Sequence, residues 1–395
     1  ENMKKNNVFN GNKLKEARIY RGMSMGELAD EIKITRQAVA QFENENNSIS
    51  PSLDVIFKLA AILKFPVHYF YERNSYDIEV GNTYFRALLS ANKKDRMMEE
   101  KKTEIVASLY RFLSEYLDFP QLNIIKSDYN EKGYDYKEIE SIAMSLREKW
   151  NLEEKPVVDI VNVMERNGII MSSFKTDKKN IDAFSQLVKY DDKDYYCVIL
   201  GNDKNSATRR QFNAAHELGH IVLHDWNCDL EELSKEEFRK REDEANYFAA
   251  AFLLPRNEFL KDLLYEKDLN FYIELKKKWR VSISAMIVRA YQLNILTVNQ
   301  YQYLMRKISQ LKWRNNEPLD DTLELEEPTL FKKAIRIILD NGILSKSELM
   351  QELSKRGLGL NREEIEDLLC LEKDTLREQI KRNNISEFIK IKGNK

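Results

Sequence analysis

Cysteine is scarce in this chain, and glycine and proline are little more common. Three cysteines (Cys197, Cys228 and Cys370) are spread over 395 residues with no C-x-x-C spacing. That argues against a disulfide framework or a thiolate metal site and fits reduced thiols in a cytoplasmic protein. Twelve Gly and seven Pro are too few for a turn-rich β architecture, so a mainly α, multi-domain chain is expected. Neither charge sign dominates: 63 Lys/Arg against 65 Asp/Glu give a formal net charge of −2, which offers no global attraction to polyanions. No apolar run approaches the ~18 residues of a membrane span and no signal peptide is recognisable, so a soluble chain with no membrane contact is expected. A hydrophobic content of 43% is enough for ordinary cores, and the length predicts two or three domains.

Histidine is the fourth scarcity, and its placement is the most informative feature. Of four histidines, three (His216, His220 and His224) fall within nine residues. His216-Glu217-Leu218-Gly219-His220 sits inside an apolar helical pattern running from Phe212 to Leu223. Residues four apart share one helix face, so His216 and His220 can hold one ion with Glu217 beside them. Two neutral imidazoles plus a carboxylate that takes a proton from an activated water is the zinc-peptidase pattern. Such a five-residue motif also occurs by chance, but buried His and Glu need partners, and the apolar flanks bury this helix.

A third ligand is needed. His224 lies ~12 Å from His216 along a straight helix axis, too far for one ion to bind both, and reads as an outer-shell or cleft residue. The next strong helix, Arg241 to Leu254, ends at Pro255 and begins acidic, with Glu242, Asp243 and Glu244 as candidates. Glu242 is preferred because Asn246, one turn later on the same face, could support a ligand imidazole. Glu244 points away from Asn246 and reads as a surface or helix-start charge. The sequence singles out no residue to stabilise an oxyanion; His224 and Tyr247 are candidates without a signal that favours either.

These residues together resemble the ImmA/IrrE family of metallopeptidases. The likeness runs over Arg209–His224, then Glu242-x-x-Ala-Asn-x-Phe-Ala and Leu-Leu-Pro. Ile181-Asp182-Ala183-Phe184-Ser185 is similar to the family's IDGFS stretch, with Ala183 where Gly is usual, and Lys278–Met286 resembles a later helical segment. The likeness covers roughly 137–315. It implies a zincin-like α+β domain with a small sheet, His216, His220 and Glu242 as ligands of Zn²⁺, and Glu217 as general base. Mn²⁺ or Fe²⁺ would also suit the donor set. The implied substrate is a transcriptional repressor, cut to release stress-response or mobile-element genes.

The N-terminal region reads as short helices. Ser24 with Glu27 forms a capping box and Thr35 caps the following helix, while Pro51 marks another start. Two helices joined by a short turn resemble an XRE/Cro-type helix-turn-helix domain. Arg36, Gln37 and Gln41 are placed to reach base edges in double-stranded DNA, with Thr35 near phosphate. Residues 11–71 carry eight Lys/Arg and seven Asp/Glu, so the domain is only weakly basic and could instead recognise a protein. A palindromic operator would call for a homodimer.

The expected organisation is a helix-turn-helix bundle at 8–75, a charged helical linker at 76–135, the metallopeptidase domain at 136–315 and a helical accessory domain at 316–395. Strand candidates are 168–174, 184–188 and 195–200. The reading is a DNA-binding, zinc-dependent endopeptidase. Its alternative is a helix-turn-helix regulator whose peptidase-like domain senses or binds with little turnover.

Overall fold

The computed structural model describes residues 8–44, 49–85, 93–126, 133–174, 182–201, 206–226 and 233–378; Ile181 and Cys228 lie outside them. Side-chain caps set the first helices. In α1 (Gly11–Tyr20) the N-cap is Asn10, which accepts from Asn12 N. The capping box predicted for Ser24 and Glu27 opens α2 (Met25–Ile32), and Lys33 ends it in the left-handed region at φ 60°. Thr35 Oγ1 accepts from Ala38 N at 3.1 Å and so starts α3 (Arg36–Phe42). α4 (Leu53–Leu63) follows, then a 3₁₀ turn at Val67–Tyr71. Buried Arg18 donates to both Glu43 oxygens at 2.6 and 2.8 Å, a bidentate pair that ties α1 to the end of α3.

The region expected to be a charged helical linker is helical in part, and it packs into the core. It contributes an unforeseen strand, β1 (Glu79–Phe85), and α5 (Lys93–Leu113). Ile105, Val106, Leu109, Phe112 and Leu113 of α5 are buried, and so are Asp95, Glu99 and Lys102 from the charged run. The peptidase region then supplies α6 (Tyr136–Lys149), α7 (Ile160–Arg166), β2 (Ile170–Phe174), β3 (Ala183–Tyr190), β4 (Lys193–Gly201), α8 (Ala207–Leu223) and α9 (Lys235–Leu253). Four helices continue the layer: α10 (Arg256–Asp262), α11 (Leu269–Trp279), α12 (Ile283–Gln292) and α13 (Val298–Gln310). The C-terminal helices are α14 (Leu330–Asp340), α15 (Lys346–Lys355) and α16 (Arg362–Leu368).

The sheet order is β1-β3-β4-β2, with β1/β3 and β3/β4 antiparallel and β2/β4 parallel. Strand residues alternate between faces, and each face builds one core. Ala183, Leu187, Tyr196, Val198 and Leu200 face α8 and α9, where Leu218, Ile221, Phe248 and Phe252 are buried with them. Phe184, Val188, Cys197 and Ile199 face the second core. That core contains α5, the helix-turn-helix residues Leu28, Val39 and Leu59, and Phe331, Ile335 and Ile365 of the C-terminal helices.

The C-terminal segment is therefore not packed on its own. Glu165 accepts from Thr329 N and Leu330 N, capping α14. Lys13 Nζ reaches Gly357 O at 2.7 Å, and Arg21 pairs with Glu364 at 2.8 Å. Sequence reading splits these regions because each has its own helical pattern. Their apolar faces are satisfied only against one another. Among the described residues, no helix is long and apolar enough to cross a membrane.

Candidate metal centre

α8 and α9 approach closely because Gly219 has no side chain. A methyl there would lie 3.1 Å from Ala245 Cα and 3.2 Å from Phe248 Cδ1, so α9 can bring its first half against the histidine face. His216, His220 and Glu242 converge, with one ligand atom from each lying within 4.8 Å of the others. His220 Nε2 is 3.0 Å from His216 Nε2. Glu242 Oε1 is 3.2 Å from His220 Nε2, and Oε2 is 3.5 Å from His216 Nε2. The two His side chains are buried, 4% and 1% exposed, and that of Glu242 is partly buried at 13%. Donors held at about 2.0–2.2 Å around a tetrahedral ion sit about 3.3–3.5 Å apart, so this triangle fits a divalent cation.

The buried setting also sets charge. Burial pushes the His220 imidazole down to about 3, outweighing the Glu242 contact that raises it. His224 is likewise pushed to about 3, by burial and then by nearby Arg241. Burial alone would raise the Glu242 carboxyl, but its bonds to His216 and His220 hold it well below the usual carboxylate range. A neutral His220 imidazole and an ionised Glu242 carboxylate are protonation states that metal binding needs.

His224 lies directly behind His220. Nδ1 of His220 is 2.9 Å from Nδ1 of His224, and His224 Nε2 is 3.1 Å from Glu244 Oε2. One proton assignment satisfies the chain: His220 Nδ1–H donates to His224, whose Nε2–H donates to the Glu244 carboxylate. That tautomer leaves the His220 Nε2 lone pair facing the cluster. Glu244, read from sequence as a surface charge, is thus buried; it also accepts from Tyr134 N at 2.9 Å. A charge at an expected helix start looks solvated in isolation, but His224 and the segment before α6 cover this one. Replacing His224 by Leu is expected to weaken metal affinity 10–100-fold, measured by competition with a chromophoric chelator.

Asn246 does not take the supporting role expected of it. It lines a cavity of about 520 Å³ with Asn213, Arg209 and Trp313, and among the described residues it has no hydrogen bond to either ligand imidazole. None of the three ligands lines this cavity; its residues Asn213 on α8 and Asn246 on α9 stand about one helical turn from His216 and Glu242. Tyr247 is committed elsewhere: its hydroxyl donates to Glu140 at 3.0 Å and its ring stacks on Tyr136. His224, bonded on both ring nitrogens, is not offered to an oxyanion.

Glu217 is buried beside the cluster. Ser185 Oγ donates to its Oε2 at 2.6 Å, a contact that sequence reasoning did not name. The signal was available: Ser185 shares the α8-facing side of β3 with Ala183 and Leu187, in the stretch already singled out.

The depressed imidazoles predict a pH dependence. Below ~6.5 the unfolded chain protonates His220 and His224 while the folded chain does not, so metal-free stability should fall as pH drops from ~6.5 towards ~3. The slope is up to about 1.4 kcal/mol per pH unit for each His. Urea melts of metal-free protein between pH 7 and pH 4 read it; a flat profile would contradict the neutral, buried assignment.

At the other end, the α3 face is open. Arg36, Gln37 and Gln41 are exposed, whereas the Thr35 hydroxyl is engaged as the helix cap. Comparison with known families agrees with both ends. Residues 164–291 match the IrrE N-terminal-like domain of the M78 peptidases, and residues 14–70 match the helix-turn-helix model. The first span holds β2, β3, β4, α8 and α9 but not β1. No curated protein matches the chain.

Proposed function

For a chain that joins a helix-turn-helix DNA-binding domain to an ImmA/IrrE-type peptidase domain, we propose a site-specific, metal-dependent endopeptidase that cuts a transcriptional repressor. The observation that carries the proposal is the buried convergence of His216, His220 and Glu242 beside Glu217. These three would hold Zn²⁺, with Mn²⁺ or Fe²⁺ as alternatives suited to the same donors. When bound, the ion supplies Lewis acidity, polarising the scissile carbonyl and lowering the pKa of the attacking water.

The remaining work belongs to the chain. Ser185 fixes one Glu217 oxygen, Glu217 receives the proton of the water, and the same carboxyl delivers it to the leaving amine. His224 and Glu244 hold the His220 ring in register.

The helix-turn-helix domain directs the choice of substrate. Its back is locked to the C-terminal helices by Lys13 and Arg21, while the α3 face stays exposed. The peptidase is thereby carried to proteins bound at the same DNA. Incubation of the purified chain and Zn²⁺ or Mn²⁺ with the repressor encoded nearby tests this. One discrete cut supports it, and an intact repressor at every metal tried contradicts it.

Arg36→Ala should weaken binding to the upstream DNA at least about tenfold, as loss of one base contact does, and a gel shift reads it. A two-fold dimer reading half-sites about 34 Å apart is the expected bound form. The second reading, a regulator with a sensing peptidase-like domain, is favoured by one observation: the ligand side chains are almost wholly buried.

A further inference from the structure

Building on the peptidase reading, we propose that β1 occupies in cis the sheet edge that an extended substrate must use, and so holds the enzyme latent. A peptide delivered to a site beside a sheet is gripped by main-chain hydrogen bonds along an exposed strand edge. The strand that matters is β3, because its Ser185 holds Glu217. One edge of β3 pairs with β4; the other is taken by β1.

The register places this occupant next to the chemistry. β1 runs antiparallel to β3 with Tyr84 opposite Ser185, Thr83 opposite Gln186 and Phe85 opposite Phe184. Its end therefore lies across from the residue that positions the general base. The other sheet edge is not an alternative. Along β2, Ser173 N donates to Cys370 Sγ at 3.1 Å and Ser172 Oγ to Leu368 O at 2.7 Å, so the C-terminal segment covers it.

The β1 ladder is also broken. A register shift lies between Val80 and Thr83, and a bulge weakens pairing locally. This is a strand that a competing peptide can displace, and β1 lies outside the peptidase region of the chain. The buried ligands fit a latent state. A substrate of this site is then an extended segment able to add to β3 antiparallel, as 79–85 does.

The test uses the full chain and a labelled synthetic peptide of residues 79–85. In Thr83→Pro/Tyr84→Pro, neighbouring amides point to opposite sides, so whichever donates to β3 is lost. The peptide should bind this variant at least tenfold more tightly than the unmodified chain, read by fluorescence anisotropy. Repressor cleavage should rise at least tenfold. Equal binding to both chains, or a measurable cleavage rate that is unchanged in a variant keeping its helical circular dichroism and metal content, overturns the proposal.

A second variant covers loss of folding. Glu79→Cys/Lys189→Cys, at a registered pair, should cleave at least tenfold more slowly oxidised than reduced; equal rates overturn latency. Anisotropy needs no turnover, so a peptide that binds only when β1 is disrupted, in a chain that never cleaves, supports edge occupancy and sinks the peptidase reading instead.

Discussion

Glu217→Gln should retain its metal and lose cleavage by about 10²–10⁴-fold, the usual contribution of a positioned proton-transfer group. The amide has the shape of the carboxylate and can still accept from Ser185 Oγ, which lies 2.6 Å from Glu217 Oε2. Neither α8 packing nor the ligands should move. What the amide cannot do is take a proton from water and return it to an amine. The check is a time course on the repressor beside elemental analysis of the same preparation. Wild-type cleavage with normal metal content would remove Glu217 from the mechanism; loss of both would make it a structural residue.

His216→Ala and Glu242→Ala should each take the metal content from one ion per chain to nearly none, and cleavage with it. Each removes one corner of a triangle whose sides are 3.0, 3.2 and 3.5 Å. Two donors do not hold a divalent ion against the water that would replace it. The loss has a thermal signature as well. An ion present at a hundred times its dissociation constant stabilises the folded chain by about 2.7 kcal/mol. Chelation should therefore lower the melting temperature of the unmodified protein and leave both variants unmoved. Metal retained at full stoichiometry in either variant would show that the ion sits elsewhere.

What could be read from sequence follows from range. The helix caps at Ser24 and Thr35 are contacts within three residues, and the histidine pair needs only the pitch of one helix. These are visible in a string of letters. Glu242 required knowing which face of α9 meets α8, and the preference for it rested on Asn246, which the structure places in a cavity wall. His224 completes the support through Glu244, a partner twenty residues away.

The failures share one cause. The charged helical linker gives no local sign of burial, yet Asp95, Glu99 and Lys102 are buried because α5 lies between the helix-turn-helix domain and the sheet. β1 has neither a long apolar run nor clean alternation, since its partner is set by β3 and not by its own pattern. The C-terminal helices look autonomous until their apolar faces meet α5 and the sheet. Long-range packing decided each of these elements, and local periodicity carries no record of it.

The most direct measurement is X-ray absorption at the metal edge of the purified, zinc-loaded chain. One ion per chain is expected, with two imidazole nitrogens at about 2.0–2.1 Å and a carboxylate oxygen in its shell. Less than stoichiometric metal after loading and dialysis, or a shell containing sulfur at about 2.3 Å, would contradict a centre built from His216, His220 and Glu242.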